Sequence, residues 1–211
     1  MGVGGVARQF YSGGKALSEY AEGDTVYITE SGKSQSFYVA KHNYESGQNG
    51  PGRTLLVRTS PHTSTKWGYY PRSYYDSSLH VVMSEYLKRF SQPVQTAIGL
   101  VKIYCEGYYN HCAVFALSAG EFGLLDGSGG IDMEGSALPI AKTLKMMSGQ
   151  KWTRTMPSGS GNPCLCGQAT QSNVQHMYAS YCDPTEIKPA RPAFTLGATT
   201  QFDPSTNMIL L

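Results

Sequence analysis

Four residues in the last quarter of the chain have the chemistry of metal ligands: Cys164, Cys166, His176 and Cys182. Thiolate and imidazole are the ligands that zinc prefers. A Cys-x-Cys pair followed by a distant His and Cys lacks the spacing of a standard zinc finger or ribbon. We therefore predict three loop cysteines and an exposed histidine, with no metal and no cofactor, while a zinc site stays open as the alternative.

Other chemistry has weaker support. Ser, His and Asp are all present, but no local signature places a nucleophile beside a base, so we predict that the chain is not an enzyme. The glycine-rich segment 127–130 lacks the following Lys-Ser/Thr of a phosphate-binding loop. Asp126, Asp132 and Glu134 lack the spacing of a dedicated calcium loop, which favours a solvated acidic turn.

Tyrosine is the strongest positive signal, with 15 among 211 residues. Its side chain combines rigid contact area with a hydrogen-bonding tip, and its ring can stack on sugars. We expect about half of the loop tyrosines to pack inward, because Tyr is intermediate in burial. The predicted ligand-binding residues are Tyr69, Tyr70, Tyr74, Tyr75, Tyr108, Tyr109, Asn173, His176, Tyr178 and Tyr181.

The bulk composition excludes several classes of protein. A net charge of +2 is too small to predict nucleic-acid binding. No apolar run approaches the roughly 18 residues of a membrane span, and no signal peptide is visible. Five cysteines, an odd number, predict no disulfide framework, so we expect synthesis in a reducing cytoplasm with at least one free thiol.

The secondary-structure elements that must position these residues are predicted to form one domain over 19–211, preceded by an N-terminal arm over 1–18. Alternating apolar residues predict a hairpin of strands 24–29 and 36–41, and the apolar run 54–59 predicts a buried strand. We expect the first and last strands of the domain to pair.

Two main helices follow from apolar residues at helical spacing. The first begins at Ser77 or Ser78, and the second begins at Ser136 and ends at Gly149. Shorter helices are predicted over 94–99 and 118–125. The inward faces are predicted to carry Leu79, Val82, Met83, Tyr86, Leu87 and Phe90 in the first helix, and Leu138, Ile140, Ala141, Leu144 and Met147 in the second.

Two strand-like segments, 151–155 and 190–196, bracket a polar segment, 158–189, which we call the insert. Its composition lacks helical periodicity and predicts a long surface region held by a rigid frame, where binding usually occurs. The predicted fold class is therefore α+β, with two main helices, antiparallel strands and long irregular loops.

A set of short motifs occurs along the chain in a characteristic order and spacing: 19–24, 37–45, 67–68, 97–99, 113–118, 135–141, 152–155 and 191–196. Together these motifs resemble a family of structural proteins of phages and prophages from Gram-positive gut bacteria. The family is similar to the C-type-lectin-like fold, which the variable receptor-binding proteins of diversity-generating retroelements also use. In such domains a C-terminal stretch varies on a stable frame, and the insert occupies the equivalent place.

The resemblance implies a virion protein of the tail tip, fibre or baseplate, made in the bacterial host cytoplasm. It would bind a glycan or protein of the host cell surface, with other virion proteins and further copies of itself as partners. It implies no catalytic residues. Trp152, Arg154, Arg191, Pro192 and Phe194 would belong to the frame, with both arginines bridging buried carbonyls or carboxylates.

Two alternatives remain open under this resemblance. One is a virion decoration or assembly protein without receptor binding. The other is an enzyme of the oxidase branch of this fold, which would use Cys164, Cys166 and Cys182 for copper and redox chemistry.

Overall fold

The structure is a computed structural model that describes residues 13–69, 73–105, 108–123, 125–126, 135–146, 151–155, 164–169 and 177–211. Its helices within these ranges are α1 (Ser46–Asn49), α2 (Ser78–Tyr86), α3 (Gln92–Ala97) and α4 (Ala141–Met146), with 3-10 turns at Leu17–Glu19, Tyr74–Asp76 and Leu87–Arg89. Its strands are β1 (Lys15–Ala16), β2 (Thr25–Glu30), β3 (Lys33–Lys41), β4 (Arg53–Arg58), β5 (Thr63–Thr65), β6 (Val101–Cys105), β7 (Tyr108–Cys112), β8 (Val114–Ala116), β9 (Leu125–Asp126), β10 (Lys151–Trp152), β11 (Cys164–Ala169), β12 (Met177–Cys182), β13 (Lys188–Ala190), β14 (Pro192–Gly197) and β15 (Gln201–Phe202).

The largest sheet is antiparallel, with the strand order β2-β3-β4-β14-β8. β4 and β14 lie inside it and are buried almost throughout, which suits their apolar sequences. The predicted hairpin is confirmed as β2 and β3, which are joined by Ser31 and Gly32 with φ of 49° and 78°. Two central residues with positive φ match the twist of the flanking strands. The predicted α+β class with antiparallel strands is confirmed.

The first main helix is confirmed as α2. The Ser77 side chain accepts a hydrogen bond from the backbone N–H of His80, as expected of an N-cap. Leu79, Met83 and Tyr86 are buried on its inner face, which packs against β8. Helical spacing therefore predicted these three positions correctly, because one turn of an α-helix brings them into line. The predicted Val82 and Leu87 are only partly buried, and both Leu87 and the buried Phe90 lie beyond the end of α2.

The second main helix begins later than predicted. α4 starts at Ala141, and Ser136 lies outside it, in chain without regular secondary structure. Pro139 explains the delay, because the residue before a proline is disfavoured in the helical conformation. Leu138 instead donates its backbone N–H to the carbonyl of Glu121. Met147 and Gly149 lie outside the described residues.

The predicted helix over 118–125 is wrong. Ser118 and Glu121 do make the reciprocal bonds of a capping box, in which each side chain accepts from the other residue's backbone N–H. The chain then turns at Gly123, whose φ of 61° is left-handed and incompatible with a continuing right-handed helix.

The insert contains a β-hairpin rather than only irregular loop. β11 and β12 pair antiparallel within a four-stranded sheet of order β10-β11-β12-β9. In the preceding segment 151–155, only the first two residues form a strand. Residues 158–163 and 170–176 lie outside the described part of the chain, as do 127–134, which include Asp132 and Glu134.

The ends of the domain meet, although not through the strands predicted to pair. β2 and β14 share a sheet, but β3 and β4 separate them. β1 pairs instead with β15. Leu17, within the segment predicted as an N-terminal arm, is fully buried.

Candidate functional site: a tyrosine-lined cavity over a buried ion pair

A cavity of about 150 Å³ opens beside the β6–β7 hairpin. Its walls come from parts of the chain that are far apart in sequence: the turn before α1, the hairpin, the turn after β8, the start of the α4 segment and the segment after β10. The lining residues are Tyr44, Glu45, Tyr104, Tyr109, Glu121, Gly135 and Arg154.

A buried ion pair forms the floor of this cavity. Arg154 Nη1 donates to Glu121 Oε2 at 2.6 Å, and the two side chains are 2% and 4% exposed. The Tyr44 hydroxyl donates to Glu121 Oε1 at 2.5 Å, and the backbone N–H of Ser118 donates to Oε2 at 2.8 Å. Burial alone would raise the pKa of Glu121, but the guanidinium and these donors lower it, so the carboxylate is ionised.

Arg154 also ties the cavity floor to the backbone. Its guanidinium donates to the carbonyls of Ala116 at 2.9 Å and Tyr104 at 3.2 Å. The prediction that Arg154 and Arg191 bridge buried carbonyls or carboxylates is confirmed, since Arg191 donates to the carbonyls of Arg58 and Thr59. A guanidinium suits this role because its donors form a fixed planar fork.

One wall of the cavity is a pair of tyrosines on the β6–β7 hairpin. Tyr104 and Tyr109 are direct cross-strand partners with ring centroids 5.2 Å apart. The side chain of Asn49, from α1, accepts from the backbone N–H of Lys102 at 2.6 Å and donates to its carbonyl at 3.0 Å. This amide bonds the β6 backbone as a neighbouring strand would, and it fixes the distance between the α1 turn and the tyrosine wall.

The rim is formed by an unusual turn. Asn43 and Glu45 have φ of 50° and 48°, in the left-handed region. For a residue with a Cβ this conformation costs about 1–2 kcal/mol, and only Asn and Asp adopt it readily beside Gly. Glu45 is therefore a strained position. Its carboxylate lies 3.9 Å from the Lys41 ammonium, and each side chain is 31% exposed.

Two predicted binding residues are not available to a ligand in the way predicted. Tyr74 is fully buried in a 3-10 turn, and its hydroxyl accepts from the backbone N–H of Ala116. Burial raises the pKa of Tyr74 well above its ordinary value. Tyr75 is half-buried, and its ring packs against Tyr74 and His80. Both therefore serve mainly as packing, as expected for part of the tyrosine set.

The remaining predicted residues are spread over several elements. Tyr69 and Tyr108 are strongly exposed, and Tyr109 lines the cavity. The expectation that these tyrosines lie in loops is wrong for four of them, because tyrosine also suits strands. Tyr70, Asn173 and His176 lie outside the described residues. The four tyrosines on strands are Tyr108 and Tyr109 of β7, and Tyr178 and Tyr181 of β12.

The cavity residues that sequence reasoning missed are Tyr44, Glu45, Tyr104 and Glu121. Glu121 did carry a signal, because it is the single charged residue in the apolar run 112–125. A lone carboxylate in such a run must find a partner on folding, since an unpaired buried charge is very costly. Nothing in the sequence near Tyr44 or Tyr104 indicates that both line one cavity, because the residues around each are those of an ordinary turn and an ordinary strand.

The cysteines differ from the prediction. Cys182 is disulfide-bonded, and its direct register partner on β11 is Cys164. The expectation of loop cysteines without a disulfide is therefore wrong. Cys105 and Cys112 are buried thiols near opposite ends of the β6–β7 ladder. Within the described residues no group of three or more His, Cys, Asp or Glu side chains could hold a metal ion.

A second buried carboxylate lies away from the cavity, at the end of β2. Glu30 Oε2 accepts from Arg58 Nε at 3.0 Å and from the Tyr86 hydroxyl at 2.6 Å. Its Oε1 accepts from Arg89 Nε at 2.7 Å, with His62 Nδ1 at 3.6 Å. We call these five residues the Glu30 cluster, and Glu121, Arg154 and Tyr44 the Glu121 cluster.

Comparisons with protein-family models, with curated proteins and with solved structures found nothing that matches this chain. In the described part of the chain, every helix is too short or too polar to span a bilayer.

Proposed function

We propose that this protein is a virion component, at the tail tip, fibre or baseplate, that binds a glycan of the host cell surface. The observation that carries the proposal is the cavity, where the tyrosine pair of the β6–β7 hairpin stands over a polar, charged floor. Sites for small polar ligands combine apolar or aromatic walls with a few fixed polar groups. The virion setting rests on the family resemblance, and so does the relation to C-type-lectin-like domains.

The cavity is well suited to binding because its parts are held in place before a ligand arrives. The floor is an ion pair with further hydrogen bonds from Tyr44 and Ser118. The wall is fixed to α1 through Asn49. A site that is already ordered avoids much of the entropy cost of binding.

Weak binding at one such site would suffice in a virion. Several copies of the protein on one particle would act together, because linking binding sites raises the effective concentration of each. This arrangement requires copies of the chain to assemble with one another and with other virion proteins.

The test is the binding of purified, labelled protein to host cell walls. Tyr109→Ala should weaken binding about fivefold or more, because a stacked aromatic contact is worth on the order of 1–3 kcal/mol and about 1.4 kcal/mol corresponds to tenfold. Tyr27→Ala is the matched control: Tyr27 is 37% exposed, Tyr109 is 44% exposed, and Tyr27 lies on β2 outside the cavity lining. Equal binding by both variants and the parent would contradict the proposal.

A decoration or assembly role is the second candidate, and β7 favours it. Among the described residues β7 pairs only with β6, and its first four residues are exposed. An exposed edge strand can pair with another chain. If wall binding is absent and Tyr108→Asp changes the oligomeric state measured by sedimentation, this second candidate replaces the first.

A further inference from the structure

We propose that the group recognised in the cavity is an organic ammonium, such as the free amine of an unacetylated amino sugar or the headgroup of choline. This inference rests on the proposed function, because it names the ligand chemistry of the same site. Three observations carry it: the charge balance of the lining, its aromatic content and the strained position of Glu45.

The charge balance of the lining is negative. Arg154 and Glu121 neutralise each other through a bond of 2.6 Å. Glu45 remains as a second carboxylate in the lining, and its nearest cation is Lys41 at 3.9 Å, beyond hydrogen-bonding distance. An incoming ammonium group could therefore form a closer pair with Glu45 than Lys41 does, whereas an anionic ligand would meet a second carboxylate in the lining.

The aromatic content also favours a cation. Tyr44, Tyr104 and Tyr109 all line the cavity. The faces of aromatic rings attract cations, and cages of aromatic residues are a recurrent way to hold quaternary ammonium groups. Lys41 Nζ already lies 6.0 Å from the centroid of the Tyr44 ring, so one of these rings has a cation nearby in the structure.

Glu45 occupies a backbone conformation that glycine would adopt without strain. Its φ is 48° and its ψ is 44°, and its side chain makes no capping bond to α1 although it holds the N-cap position. Residues held in such conformations cluster at functional sites. The carboxylate contributes neither a helix cap nor a close ion pair, and its position on the cavity rim is consistent with a role in binding.

The decisive experiment titrates the full chain with glucosamine, choline, N-acetylglucosamine and glucose, followed by NMR. We expect glucosamine or choline to bind at least tenfold more tightly than the two neutral sugars. The glucosamine and choline titrations separate the two sources of the ammonium group. Equal affinity for glucosamine and N-acetylglucosamine, with no binding of choline, would overturn the inference.

Glu45→Gly gives the sharpest variant. It removes the carboxylate and relieves the backbone strain, so we expect the preference for ammonium ligands to disappear while the melting temperature is unchanged or higher. Ser31→Gly is the matched control, because Ser31 has nearly the same φ, 49°, in the β2–β3 turn outside the cavity lining. It should leave ligand preference unchanged. An ammonium preference that survives Glu45→Gly would contradict the inference.

The two proposals can fail separately. If wall binding depends on Tyr109 but the sugars bind without regard to charge, the proposed function stands and the ammonium inference fails. If ammonium ligands bind at the cavity but host walls do not, the ligand chemistry stands and the host-recognition proposal fails.

Discussion

The two buried carboxylate clusters are built alike and surrounded differently. In each, a glutamate accepts a short hydrogen bond from a tyrosine hydroxyl and forms an ion pair with an arginine. In the Glu121 cluster one arginine balances one glutamate, and a cavity lies against them. In the Glu30 cluster a second arginine and a histidine complete the surroundings of the carboxylate.

This difference separates a cluster with a surplus of cations from one that borders a cavity. The cations of the Glu30 cluster outnumber its carboxylate, and Arg89 is 41% exposed, so part of this cluster already interacts with water. In the Glu121 cluster, by contrast, Arg154 and Glu121 are only 2% and 4% exposed, and both line the cavity. Equivalent changes in the two clusters should therefore have unequal effects.

The largest effect is expected for Arg154→Met. It leaves the Glu121 carboxyl buried without its counter-charge, and breaking a buried pair in this way typically costs about 3–5 kcal/mol. The free energy of unfolding in urea measures the loss. The double variant Arg154→Met/Glu121→Leu should recover a large part of it, because no buried charge is then left alone. A loss below about 1 kcal/mol for the single variant would contradict the assignment of this pair.

Glu30→Gln should destabilise the domain less, by about 1–3 kcal/mol. The substitution leaves Arg58 without its carboxylate, but Arg58 keeps bonds to Ser60, Pro61 and Gln35, and Arg89 can turn to solvent. The same urea titration compares the two variants. A loss equal to or larger than that of Arg154→Met would show that the clusters do not differ as described.

As the pH is lowered from about 7 to about 5.5, we expect the free energy of unfolding to fall. Of the two clusters, only the Glu30 cluster should contribute to this fall. Burial lowers the pKa of His62, and Arg89 and Arg58 lower it further against the opposing effect of Glu30. In this range His62 therefore takes up a proton in the unfolded chain before it does so in the folded one. Stability falls as the pH drops below the pKa of His62 in the unfolded chain, near 6.5. The lowered pKa of Glu121 affects stability only at more acid pH, below the pKa of this residue in the unfolded chain, near 4.5.

His62→Gln should flatten this decline in thermal unfolding measured across the pH range. His80→Gln is its comparison, because burial also lowers the pKa of His80 but no charged partner contributes to that shift. An unchanged slope in His62→Gln would locate the proton uptake elsewhere.

The smallest effect is expected for Arg89→Gln. Arg89 is paired with Glu30 from the surface, and pairs with an exposed member typically contribute about 0–1 kcal/mol. Its removal also eliminates the surplus cation of the cluster, which further reduces the net loss. A destabilisation well above 1 kcal/mol would mean that Arg89 is as important as Arg58.

Much of the fold could be predicted because local sequence determines local structure. The α2 helix has a serine cap followed by apolar residues at helical spacing, and each of these features acts within one or two turns. The β2–β3 hairpin has alternation on both sides of a Ser-Gly turn. The errors at Ser118 and Ser136 came from glycine and proline a few residues further on, whose backbone constraints override a capping signal.

The candidate site was predicted only in part. Tyr109 was selected for its residue type, and it lines the cavity, but Tyr74 has the same chemistry and is fully buried. Burial depends on which element packs over a residue, and no feature within a few positions of these tyrosines separates them. The hairpin of the insert was missed for a related reason, because its strands contain few of the aliphatic residues from which alternation is recognised.

The sequence alone determined the α+β class, the β2–β3 hairpin and the buried central strands. These depend on periodicity and on the cost of burying polar groups, which act on residues close together in the chain. Only the tertiary structure brought Tyr44, Glu121 and Arg154 into one network, across separations of 77 and 33 residues. The cavity exists because segments distant in sequence pack around the Arg154–Glu121 ion pair. Contacts between residues so far apart in the chain produce no local sequence pattern from which they could be predicted.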